Sequence, residues 1–176
     1  VIPDYVEYNG AKYPVTFIAA SAFKGAKINS VKLPSTLKEI RLKAFWRTDI
    51  KELVIPASVK RIEGSAFSFC TNLTKVTFAG TSMELIEGCF AGCSKLQSVT
   101  FPASLAKDMT YDMFRDCVML TTVTLPKNLR TLPEQMFSGC KSLRTVNLPS
   151  TLTKVGARAF SGTPITNLNV ASVTDI

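Results

Sequence analysis

Residues Leu143–Thr163 read LRTVNLPSTLTKVGARAFSGT. Apolar residues at Leu143, Val146 and Leu148 lead into Pro149, a second apolar pair follows at Leu152 and Val155, and Ala159-Phe160 precede a short polar close. The stretch before it, Leu120 to Cys140, keeps the same order through Val123, Leu125, Pro126, Leu129, Leu132 and Phe137. Working outward, phenylalanine recurs at Phe23, Phe45, Phe67, Phe90, Phe114, Phe137 and Phe160, at spacings of 22, 22, 23, 24, 23 and 23 residues. A fixed period of this size marks a repeat architecture: one unit is too small to bury its own apolar face and must stack on its neighbours.

Each turn carries a hexamer with apolar first, fourth and sixth positions, from Ile28-Val31-Leu33 through Ile50-Leu53-Ile55 to Ile165-Leu168-Val170. Alternation at period two is the signature of a strand with one buried face, so stacked hexamers predict a parallel sheet. Pro34, Pro56, Pro102, Pro126 and Pro149 close hexamers; lacking an N–H, proline ends the strand and turns the chain. The pairs Leu37/Ile40, Val59/Ile62, Leu129/Leu132 and Leu152/Val155 predict a second short extended segment in each turn. Near the start, Tyr5 to Tyr13 alternates around Asn9-Gly10, the strongest short-range hairpin signal. The chain divides as one domain: residues 1–27 are the hairpin and a first partial turn, 28–164 six repeats, and 165–176 a truncated repeat whose open face is a sticky edge unless further chain covers it.

The hexamer closing on proline, the apolar pair, Ala-Phe and then Gly-Cys or a close variant together resemble the BspA-like leucine-rich repeat family of bacterial surface proteins. The opening Ile2-Pro3, Tyr8-Asn9-Gly10 and Tyr13-Pro14-Val15-Thr16 is similar to the way such domains begin in gut anaerobes. The resemblance implies a right-handed leucine-rich-repeat solenoid of 22–24-residue turns, with a parallel sheet on the concave face and short second strands or turns opposite. It also implies secretion or surface anchoring and a role in adhesion to host or neighbouring cells. Departures are Ala79-Gly80 in place of the proline, Met113 and Met136 in place of alanine before phenylalanine, and one extra residue near Asp108.

Composition narrows the function. The 176 residues carry 21 Lys+Arg against 13 Asp+Glu, 46% hydrophobic residues, five cysteines and no histidine. The apolar fraction excludes a disordered chain, and no apolar run reaches the roughly 18–20 residues that span a bilayer. The first residue is Val1 and no charged start precedes an apolar stretch, so the segment reads as an excised or processed part of a longer protein. Without histidine, Ser/His and Cys/His catalysis and His-bearing zinc sites are excluded. The net charge of +8 is spread over every turn without interleaved aromatics, which argues against nucleic acid. No enzymatic activity, cofactor, metal or membrane insertion is expected.

The candidate chemistry is modest. Cys70, Cys93, Cys117 and Cys140 each follow the ladder phenylalanine by three residues, where other turns have Ala26, Thr48 and Thr163. A column of free buried thiols is expected, with bridging between adjacent turns as the alternative. Asp108, Asp112 and Asp116 are spaced by four, as on one helical face, but lack the order of a calcium loop and its glycine; a solvated rim is expected. Glu84 and Glu87 are the other close carboxylate pair and take no catalytic role. Outward sheet positions in the later turns, Thr100, Thr122, Thr124, Thr145, Asn147, Asn167 and Asn169, form a neutral strip able to hydrogen-bond an extracellular protein or glycan. Trp46 and Phe69 stand on adjacent turns at positions that are polar or small elsewhere. Exposed together they form a protein-binding anchor; buried together they leave a structural spacer holding another domain away from the cell as the alternative.

Overall fold

The structure, a computed structural model, describes residues 1–80, 84–101, 109–166, 168, 173 and 174. Strands are numbered in chain order. β1 (Tyr5–Tyr8) and β2 (Ala11–Pro14) form the antiparallel hairpin, and Asn9 and Gly10 turn it at φ 48° and 74°. Positive φ at both central residues is the two-residue turn that Asn-Gly favours, because its twist matches the strands it joins. The Ile2 N–H donates to the Lys32 carbonyl at 3.1 Å, so Ile2-Pro3 is the tail of a sheet rung and the hairpin is inserted between that tail and the next strand.

Then comes β3 (Phe17–Ile18), the first rung of a narrow parallel sheet continued by β4 (Glu39–Ile40), β6 (Arg61–Ile62) and β8 (Glu84–Leu85). The hexamers supply the wider parallel sheet, in which β5 (Glu52–Ile55), β7 (Lys75–Phe78), β9 (Ser98–Thr100) and β10 (Thr122–Thr124) lie side by side. A bridge from Thr124 to Asn147 carries it one turn further. β11 (Thr131–Leu132) and β12 (Lys154–Val155) pair in parallel as a separate two-stranded sheet built from the same segment of later turns. The period-two reading holds in β5 and β7, where Leu53, Ile55, Val76 and Phe78 are buried and Glu52, Val54, Lys75 and Thr77 face out. It overreaches at the ends: residues 28–33 form no strand, and 143–148 contribute only the bridge at Asn147. Terminal rungs have less sheet beside them, and their ladders are correspondingly incomplete. Prolines do turn the chain, with Pro34, Pro56, Pro126 and Pro149 carbonyls accepting the N–H three residues on at 3.0–3.3 Å. The extra residue near Asp108 lies outside the described residues.

A third face joins the turns without strands. Around every ladder phenylalanine, the residues two before and two after take positive φ: Ser21 and Gly25, Lys43 and Arg47, Ser65 and Phe69, Gly88 and Gly92, Asp112 and Asp116, Gln135 and Gly139, Arg158 and Gly162. These alternations aim successive N–H groups at the next turn. The phenylalanine N–H reaches the carbonyl before the next phenylalanine, as in Phe45 to Ala66 at 2.8 Å, and the residue two later reaches the carbonyl after it, as in Gly92 to Arg115 at 2.7 Å.

Inside, the seven phenylalanine rings stack in one file, with centroids 5.0–6.0 Å apart and planes within 20° of parallel. Phe78 and Phe101 form a shorter second stack at 5.3 Å and meet Phe90 and Phe114 edge-on at 6.1 and 5.8 Å. Beside them all five cysteines are free and buried. The thiols of Cys70, Cys93, Cys117 and Cys140 donate to the carbonyls of Phe45, Phe67, Phe90 and Phe114, one turn back, at 3.1–3.3 Å. Those carbonyls already accept an N–H within their own turn, so the thiol satisfies a second lone pair inside the core.

Candidate protein-binding site

The residue two past each ladder phenylalanine is glycine in four turns: Gly25, Gly92, Gly139 and Gly162. Glycine adopts positive φ at no steric cost, and the inter-turn bond made by this N–H requires that conformation. Arg47, Phe69 and Asp116 occupy the same slot at φ 57°, 59° and 59°. For an L-residue this costs roughly 1–2 kcal/mol, and a bulky side chain is a genuine outlier there. Two of the exceptions are on adjacent turns, next to Trp46.

The three side chains form one cluster. Trp46 and Phe69 meet edge-to-face, with centroids 6.0 Å apart and planes at 72°. The Arg47 guanidinium lies 4.2 Å from the indole centroid and 5.7 Å from the Phe69 ring, and the Lys24 ammonium 5.2 Å from the indole. Trp46 is half-buried, while Phe69 keeps 42% of its surface exposed. The Phe69 ring lies against the next turn, where a Cβ added to Gly92 would sit 2.6 Å from Phe69 Cδ1. That glycine is needed both for its φ of 71° and for the space the ring takes. Beside the cluster is a depression of about 310 Å³ lined by Lys27, Arg47, Thr48, Asp49, Phe69 and Thr71. Trp46 and Phe69 thus pack on each other and still present a surface.

The strip on the wide sheet is present in part. Thr100, Thr122, Thr124, Thr145 and Asn147 are exposed; β9 and β10 bring Thr100 opposite Thr124, and the bridge sets Asn147 beside Thr124. Asn167 and Asn169 lie outside the described residues. A larger groove, about 630 Å³, runs at the sheet's other end between Val1-Ile2-Pro3, Val31, Lys32 and Val54; the sequence reading had not singled it out, although outward Val54 was its visible signal.

Three of the candidate carboxylates, Glu84, Asp112 and Asp116, fall into ion pairs. Glu84 holds Arg61 at 3.0 Å. Asp112 and Asp116 flank Arg115 at 3.6 and 3.9 Å on a turn with no helix, so helical spacing does not describe them, and Asp108 lies outside the described residues. Asp116 is exposed as a solvated rim requires, but Asp112 is half-buried and burial raises its carboxyl above the usual range. Among the described residues no group of three or more histidine, cysteine or acidic side chains could hold a metal. No helix there is long and apolar enough to cross a membrane.

No curated protein matches the chain. Among solved structures, a leucine rich cell surface protein from Faecalibacterium prausnitzii is 29% identical over 99% of this chain and 46% of its own, with a TM-score of 0.80. Leucine-rich repeat proteins from Bacteroides ovatus and Eubacterium ventriosum are each 26% identical with TM-scores of 0.67, over 88% and 94% of this chain and 52% and 51% of theirs. The chain therefore spans about half the length of the solved chains it matches. The family model described as the BspA type leucine rich repeat region matches in six copies across residues 9–107 and 81–176. With its turns, its ladders and that match covering nearly every residue, the chain belongs to the BspA-type leucine-rich repeat family.

Proposed function

We propose that this chain is a non-enzymatic extracellular recognition module that docks a protein through the Trp46–Phe69 cluster. One observation carries the reading: a phenylalanine stands exposed in a left-handed slot that glycine fills in four other turns. The inter-turn hydrogen bonds impose the conformation, and strain held in this way clusters at functional sites; exposed aromatics beside arginine are the residues that anchor protein interfaces. The Thr100 to Asn147 strip supplies a rigid hydrogen-bonding surface. Kinship with a solved protein described as a cell surface protein supports the extracellular location, and adhesion to host or neighbouring cells is the role that location suggests.

The purified chain is expected to bind at least one of a panel of extracellular-matrix proteins and glycans saturably, and Trp46→Ala/Phe69→Ala to weaken that binding roughly tenfold or more. Circular dichroism must show the variant folded. Binding indifferent to both substitutions would remove the site, and silence across the panel would favour a spacer.

A companion measurement separates function from packing. Phe69→Gly removes the edge-to-face pair, worth roughly 0.5–1.5 kcal/mol, but relieves backbone strain of roughly 1–2 kcal/mol. Stability is expected to stay within about 1 kcal/mol of the parent while binding is lost. A denaturation midpoint that falls as far as for a core phenylalanine would make Phe69 a structural residue.

A further inference from the structure

The cluster's electrostatics specify its partner more closely, an inference that rests on the reading of Trp46 and Phe69 as a docking site. Arg47 stacks its guanidinium on the indole. The ring's π face attracts the cation without using its N–H donors, and a guanidinium's fork of donors grips a carboxylate with two parallel bonds. Among the described residues neither Arg47 nor Lys24 has a carboxylate within ion-pair range. The nearest acid in the depression, Asp49, is engaged by Lys27 at 3.7 Å and by the Asn72 amide at 3.2 Å. Two cations therefore flank one indole without neutralisation, beside the exposed Phe69. An indole face that a sugar ring would stack on is taken by Arg47, whereas the Phe69 edge invites an apolar side chain.

We infer that the cluster takes an acidic polypeptide segment, with a carboxylate on the Arg47 fork, a second negative charge toward Lys24, and an adjacent aliphatic side chain against Phe69. Trp46 is the chain's single tryptophan, so its fluorescence reports on this site alone. The whole chain is titrated with a short peptide repeating Glu-Ala-Leu-Glu, with its Gln-Ala-Leu-Gln counterpart, and with heparin as a sulfated polysaccharide.

The acidic peptide is expected to change Trp46 emission saturably, with weakening as salt rises; the neutral peptide is expected to leave emission unchanged. Arg47→Gln should weaken the acidic peptide roughly tenfold or more, and Lys127→Gln, an exposed cation at a distant turn, should not. No response to the acidic peptide, or one indifferent to Arg47→Gln, overturns the inference; so does a saturable response to heparin alone, which makes the occupant a polysaccharide. Panel proteins that still bind through Trp46 and Phe69 when the acidic peptide fails would leave the docking reading standing and remove only this assignment.

Discussion

Above pH 9 the fold is expected to fail in one steep alkaline transition, driven by its thiols. All five cysteines are buried, and burial raises every one of them above the ordinary thiol value of 9.0, with Cys89 and Cys140 pushed up to about 12. A neutral thiol suits the core; a thiolate there has lost its water. Because the folded chain holds these protons more tightly than the unfolded one, their contribution is complete below pH 9 and drains away as pH rises toward 12. At pH 12, a thiol held at about 12 instead of 9.0 has withdrawn ~4 kcal/mol. A single domain holds only about 5–15 kcal/mol in total, so two such thiols remove about half of it or more.

Denaturant midpoints measured from pH 7 to 12 should be flat to about 9 and then fall steeply. Replacing Cys70, Cys93, Cys117 and Cys140 with threonine, the residue that Thr48 and Thr163 place in the same slot, and Cys89 with alanine, the residue that Ala44 and Ala66 place in its slot, should move that fall upward. At pH 7 the parent thiols should resist a disulfide reagent until denaturant is added. An alkaline midpoint shared by parent and variant would assign the transition to other groups.

The sequence reading of the turns succeeds where a residue type is chosen by its own turn. Phe23 to Phe160, the Asn9-Gly10 hairpin and the buried alternation of Leu53 and Ile55 were all legible, because burial and turn chemistry act on those side chains directly. Glycine at four of seven positions two past the phenylalanine also marked that slot as special, which is why Phe69 stood out. The slot two before the phenylalanine gave no such sign. Ser21, Lys43, Ser65, Asp112, Gln135 and Arg158 share positive φ with only Gly88 among them, since the conformation there is imposed by hydrogen bonds to the next turn. The thiol-to-carbonyl bonds were hidden for the same reason, their acceptors lying a turn away. Val54 gave only a single-residue hint of the groove beside Ile2, and no pattern in one turn revealed that Phe78 and Phe101 would stack against the main file.

That second stack makes Phe90 and Phe114, each with two stacked neighbours and one edge-on ring, the most heavily contacted positions in the file. The Phe90 ring is fully buried, lies parallel to Phe67 at 5.5 Å and Phe114 at 5.8 Å, and meets Phe78 at right angles at 6.1 Å. Truncation to alanine removes three ring contacts at once and opens a cavity that the neighbouring turns, tied by backbone ladders, are poorly able to close. The expected loss is at the upper end of the ~3–5 kcal/mol usual for buried phenylalanine. Phe160, half-buried with Phe137 as its stacking partner at 5.7 Å, should lose distinctly less as alanine. Position along the stack matters as well as burial: in a quasi-one-dimensional array each turn is coupled only to its neighbours, so a gap at Phe90 weakens the coupling of the turns on either side. Equilibrium denaturation should show a lower midpoint for Phe90→Ala and a broader or divided transition, whereas Phe160→Ala should keep one transition. If Phe90→Ala is too unstable to measure, Phe90→Leu, expected to lose ~1–2 kcal/mol, reads the same site. Equal losses at Phe90 and Phe160 would show that stability does not accumulate along the ring file, and the file would then be a consequence of the backbone ladders instead of their support.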